Sequence, residues 1–95
     1  MEHSERSNQA IGQRLSITRQ ALGLKQKQFA ERAGLTPSAY NQYETGLYKP
    51  SVDAANALCD RYFITLDWIF RGSLSGVPYD LAEAIRSIRE LREKG

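Results

Sequence analysis

This chain has little covalent or metal chemistry to work with. A single cysteine, Cys59, excludes an internal disulfide, and one cysteine with one histidine, His3, cannot build a zinc site. No apolar run approaches the length that spans a bilayer, and no basic-then-apolar opening of the secretory kind is present, so cytoplasmic residence is expected. The usual marks of an enzyme are missing as well: no carboxylate pair, metal cluster, Cys–His arrangement or phosphate-cradling glycine loop stands in the sequence. Neither catalysis nor a cofactor is therefore expected. Glu31 and Glu44 have ordinary explanations on a helix surface or in an ion pair. Cys59 sits in an apolar stripe, where an inert buried thiol fits better than a nucleophile, and His3 reads as a solvated tail residue.

What is present suffices for one small helical core, since 95 residues make one domain but not two. The formal net charge is only +2, but it is unevenly divided. Residues 9–50 hold Arg14, Arg19, Lys25, Lys27, Arg32 and Lys49 against Glu31 and Glu44, a surplus of four cations. Residues 51–72 hold Arg61 and Arg71 against Asp53, Asp60 and Asp67, a deficit of one. Such asymmetry suits a partner made of phosphates; a mixed surface that merely keeps a domain soluble is the plain alternative.

The positive half contains the stretch on which the chain turns, Gln26 to Thr45, QKQFAERAGLTPSAYNQYET. Phe29, Ala30 and Ala33 fall on one face of a helix, with Leu35 at the turn. Gly34 suits a helix end that needs a left-handed backbone. Thr36 can cap the next helix, and Pro37 costs nothing in its first turn. Tyr40 and Tyr43 form the inner stripe of that second helix. Pro37, Ser38, Asn41, Gln42 and Thr45 then remain outward, a row of amides and hydroxyls more than of charges.

This run resembles the helix-turn-helix of phage Cro and repressor proteins, the lambda-repressor-like or xenobiotic-response-element family. Gln26 opens the motif, Ala30 and Gly34 are small, and Phe29, Ala33, Leu35, Tyr40 and Tyr43 take the family's apolar places. KPS and then LDWIFRG follow in the family's order, so the likeness covers residues 9–72. The resemblance implies an all-α, five-helix lambda-repressor-like DNA-binding domain, here with an additional C-terminal helix. It also implies a phosphate-anchoring role for Gln26 and an ion pair between Arg19 and Glu44 that sets the angle between helices.

Residues 1–8 are polar and read as a frayed tail. The first helix is expected from Gln9 to Leu22, with Ile11, Leu15 and Leu22 on one side and Gly23 at its end. For Arg14 two readings stand, phosphate contact or solvation. A fourth helix, Val52 to Tyr62, turns Ala55, Leu58, Cys59 and Tyr62 inward. A short fifth helix, Leu66 to Phe70, brings Trp68 in as a core or edge anchor. Residues 73–77 read as a linker, and residues 78–95 as an amphipathic helix with Leu81, Ala84, Ile85, Ile88 and Leu91 in its stripe. Arg86–Glu90, Arg89–Glu93 and Glu90–Lys94 are placed to pair along it. That stripe must bury on the body or on the same helix of a second chain. The homodimer through residues 78–94 is preferred, because the family commonly reads two-fold symmetric sites.

The expected partner is double-stranded DNA, read by a helix over residues 37–45 in the major groove. Ser38 and Gln42 are best placed for base edges, Asn41 and Pro37 beside them, and Gln42 can pair with adenine. Arg14, Lys25, Gln26, Lys27, Thr36, Thr45, Tyr48 and Lys49 are the candidates for phosphate. For Tyr48 the alternatives are packing on the sugar-phosphate backbone or covering its loop. A repressor-like transcriptional regulator on a palindromic operator is the expected role. The rival is an antitoxin or adaptor that uses the same scaffold to hold a protein partner.

Overall fold

A computed structural model describes residues 6–94. Six helices are present among them: α1 (Asn8–Ala21), α2 (Gln26–Arg32), α3 (Pro37–Glu44), α4 (Val52–Tyr62), α5 (Leu66–Arg71) and α6 (Tyr79–Lys94). No strand is present among the described residues, so the chain is all-α with a C-terminal helix added to five. His3 lies outside the described residues, as does the tail expected over residues 1–8 as far as residue 5. Ser7 already serves α1.

Short hydroxyl side chains start four of the helices. The oxygens of Ser7, Thr36, Ser51 and Thr65 accept from the amides of Ala10, Ala39, Ala54 and Trp68 at 3.1, 3.1, 3.1 and 2.9 Å. Each satisfies an amide that the helix itself cannot pair. At α2 the bond runs the other way, the Lys25 amide donating to Gln28 Oε1 at 3.0 Å. Between α2 and α3 the turn passes through Gly34 at φ +79°, a conformation that would strain a side chain.

Trp68, Tyr40, Phe29, Ile11, Leu15, Leu58, Ile69 and Ile85 are fully buried and form the centre of the core. Phe29 stacks on Tyr62 with ring centroids 4.2 Å apart and tilts against Tyr40 at 5.1 Å. The polar tips of this core are satisfied. Tyr62 Oη donates to the Phe29 carbonyl at 2.7 Å, and Trp68 Nε1 donates to Thr18 Oγ1 at 2.8 Å. Thr18 passes its own proton to the Arg14 carbonyl at 2.7 Å. These bonds tie α1 to α5 and α4 to α2 where an unpaired donor would be costly.

Gly12 sets how closely α1 and α3 approach. A Cβ there would lie 2.5 Å from the Glu44 carbonyl oxygen and 2.6 Å from that of Tyr43. Any larger residue would lever α3 off the body.

Several sequence-based expectations change in the structure. Leu22 is the C-cap of α1 and partly exposed, and Ile17 is the buried residue in its place. Cys59 is half-buried; burial, and then the charge of Asp60, push its thiol pKa up. Between α5 and α6, Val77 is buried, and its amide donates to the Leu74 carbonyl at 3.0 Å. The preference for a dimer contact through residues 78–94 gives way, for the middle of that stripe, to packing on the chain's own body. Ala82 and Ile85 are buried within the chain, and Arg92 Nη2 donates to Ser16 Oγ and Gln20 Oε1 of α1 at 2.7 and 2.8 Å. An apolar stripe beside an open α1 flank needs no second chain to cover it. Along α6 the ion pair formed among the described residues is Arg86 with Glu83, at 2.5 Å, in place of the three pairs expected. Both groups are half exposed, and surface pairs of this kind exchange at little cost.

Candidate nucleic-acid interface

The two faces of α3 are held very differently. On the inner face Tyr40 is buried, and Glu44 is gripped from three sides. Arg19 Nε donates to Glu44 Oε2 at 2.6 Å and Arg19 Nη2 to Oε1 at 3.2 Å, a forked pair. Tyr40 Oη reaches Oε2 at 2.5 Å, and Gln26 Nε2 reaches Oε1 at 2.9 Å. Arg19 also donates to the Leu24 carbonyl at 2.9 Å, so one guanidinium ties the α1–α2 turn to the end of α3.

Burial by itself would raise the Glu44 pKa. The hydrogen bonds from Arg19, Tyr40 and Gln26, with the Arg19 charge, outweigh it and hold the carboxyl below its ordinary value. The same pair raises Arg19, chiefly through its hydrogen bond to Glu44. Tyr40 is pushed well up, by burial first and then by its bond to Glu44, and stays a neutral donor.

Gln26 is engaged at both ends of its amide. Its Nε2 is on Glu44, and its Oε1 accepts from Asn41 Nδ2 at 3.1 Å. It therefore bridges α2 to α3, leaving one N–H for a further partner. Asn41 is exposed, but this bond partly fixes its amide.

On the outer face Ser38 and Thr45 are exposed, and Pro37 and Gln42 are half-buried. The Ser38 hydroxyl and the Gln42 amide make no hydrogen bond among the described residues. The Gln42 backbone is firmly placed all the same. Its carbonyl accepts from the amides of Leu47 and Tyr48 at 3.0 and 3.2 Å and from Thr45 Oγ1 at 3.3 Å. A rigid backbone thus carries an uncommitted amide side chain.

Lys25, Lys27 and Lys49 are exposed, the first two at the start of α2 and the third in the loop after α3. Thr36 is exposed, with its oxygen engaged as the cap of α3. Tyr48 is 55% exposed.

Arg14 is the expectation that must be withdrawn. It is 6% exposed; its Nε donates to the Ile69 carbonyl at 3.0 Å, and its guanidinium carbon lies 6.0 Å from the Trp68 ring centroid. A side chain turned toward α5 cannot reach a phosphate beside α3. Gly12, Thr18 and the Gln26–Asn41 bridge were absent from the sequence-based set. Only Gly12 carried a signal, as a glycine inside an otherwise regular helix.

No helix among the described residues is long and apolar enough to cross a membrane. Comparison with curated proteins and with solved structures gave no match. A family model described as helix-turn-helix matches residues 15–69, more than half of the chain. That span takes in α2, the Gly34 turn, α3 and the core from Leu15 to Ile69. The family is one of DNA-binding domains of the transcription-regulator type, not of enzymes. The chain belongs to the lambda-repressor-like, xenobiotic-response-element family of helix-turn-helix proteins.

Proposed function

We propose that this protein is a cytoplasmic, sequence-specific regulator that sets α3 in the major groove of double-stranded DNA and represses transcription. The observation that carries the reading is the contrast on α3: Glu44 and Tyr40 are locked inside, while the Gln42 amide and Ser38 hydroxyl stay uncommitted outside. Gln42 has the donor and acceptor that adenine offers in the major groove, and Ser38 is permissive. Pro37 adds an apolar contact suited to a thymine methyl, and Asn41 and Thr45 flank the row. Lys25, Lys27, Lys49, Thr36, Tyr48 and the second Gln26 N–H supply backbone contacts that set register without reading sequence.

A homodimer on a palindromic site belongs to the same proposal. Two recognition helices would then stand about 34 Å apart, one turn of DNA. With Ala82 and Ile85 taken by the body, a two-fold contact has to draw on the apolar residues still exposed, among them Phe63, Leu66, Tyr79 and Leu91. Selection of bound duplexes from a random pool tests the reading directly. A palindromic consensus is expected; recovery of no consensus at moderate salt would overturn sequence-specific binding. A single unrepeated half-site would overturn the dimer alone.

A further inference from the structure

A recess of about 750 Å³ opens between α1, the end of α5 and α6. Among its lining are Gln13, Arg14, Arg71, Arg89, Arg92 and Glu93, four guanidiniums against one carboxylate. It lies on the far side of α1 from the recognition helix. Gly12 faces α3, and at a helical step of roughly 100° per residue Gln13, Arg14 and Ile17 are turned roughly 100–200° away from it.

The charges of Arg71, Arg89 and Arg92 are oriented but not neutralised among the described residues. Arg92 donates to the neutral oxygens of Ser16 and Gln20. The Arg89 guanidinium carbon sits 5.8 Å from the Trp68 ring centroid, over an indole that carries no charge. Arg71, Arg89 and Arg92 form no ion pair among the described residues, although Glu93 is four positions from Arg89. Structural duties explain part of this. Arg71 suits the negative end of α5, and the Arg89 stem helps to cover Trp68. Neither duty calls for Arg71, Arg89 and Arg92 to share one space, where like charges repel. An anion in the recess would reverse that penalty.

We infer that this recess binds a small ligand carrying two oxyanion groups, phosphate or carboxylate. Guanidinium forks match both groups in a bidentate manner. Arg89 and Arg92 stand one turn apart on α6, roughly 5 Å along its axis, which suits two linked oxyanions more than one. The volume falls in the range of small-molecule sites, on the order of 300–1,000 Å³. The site is independent of the DNA-reading face.

Titration of the whole chain with pyrophosphate, and separately with citrate, at constant ionic strength tests this by NMR. Saturable shifts centred on Gln13, Arg71, Arg89 and Arg92 are expected, and the tighter probe distinguishes phosphate from carboxylate. Arg71→Gln with Arg89→Gln should weaken binding by roughly tenfold or more, as expected for losing charge-assisted bonds. If that pair of changes unfolds the chain, Arg71→Gln alone, at an exposed position, gives the same comparison. Shifts that never saturate, that centre on Lys25, Lys27 and Lys49, or that persist at native affinity in the folded variant would overturn the inference.

Discussion

The recognition helix α3 and the C-terminal helix α6 are both amphipathic, but they are attached by opposite means. α6 is twice as long and is held chiefly by apolar side chains, with Ala82 and Ile85 buried on the body and Arg92 adding hydrogen bonds to α1 near its end. α3 fully buries only Tyr40 and is held at its end by hydrogen bonds that converge on Glu44. Apolar contact is non-directional and tolerates small slips, whereas a forked ion pair fixes an angle. A helix that only covers a core can use the first. A helix that presents Ser38 and Gln42 to DNA at a set angle, as proposed, needs the second. The cost is a carboxylate and a guanidinium taken partly out of water, with side chains 6% and 15% exposed.

The largest expected effect comes from the apolar attachment. Ile85→Ala should lower stability by about 3 kcal/mol, as core Ile truncations do, measured by urea unfolding. Once folded, the variant should keep the parent's preference among DNA sites, since α6 does not set the angle of α3. An unchanged unfolding midpoint would mean that α6 is not seated on α1, and would return its stripe to a second chain.

Glu44→Gln attacks the directional attachment. It should cost about 2–3 kcal/mol, because Arg19 keeps its charge without a counter-charge in a half-buried place. Unlike Ile85→Ala, it should also weaken DNA binding while the chain is still folded. The pair has a pH signature as well. The folded Glu44 pKa is lowered, so its contribution is complete above the ordinary value near 4.5 and is lost as pH falls through the folded value. The acid limb of a stability–pH curve should therefore flatten in Glu44→Gln. Parallel limbs for parent and variant would remove Glu44 from that account.

Most of the fold was legible because period and punctuation agree. Gly34, Thr36 and Pro37 mark the helix-turn-helix break without any partner being known, and Gly23 marks the end of α1 the same way. Apolar stripes located Leu58, Trp68 and Ile85. Long-range polar pairing was not legible. Nothing in a separation of 25 residues joins Arg19 to Glu44, and only family likeness suggests it. Arg14 shows the same gap from the other side. Its position on α1 is plain, but whether an arginine meets phosphate, water or a distant carbonyl depends on α5 being packed beside it. The α6 stripe announced that it must be covered and left open by what, since an apolar face carries no address.

The smaller effects separate the two kinds of contact on the outer face. Gln42→Ala should cost about 1–3 kcal/mol at the preferred site and little on random DNA, measured by fluorescence anisotropy on both duplexes. Equal losses on the two would show that the amide does not read bases. Lys49→Ala is the subtlest test. A lysine on phosphate releases a counterion whatever the sequence, so its removal should weaken both duplexes alike and lower the slope of log K against log salt by about 1. An exposed lysine that merely solvates its loop would leave the slope where it was. Because Lys49 follows α3 by only a few residues, a changed slope would also place the loop, and with it the start of α4, against the DNA backbone. An unchanged slope would confine the phosphate surface to the start of α2.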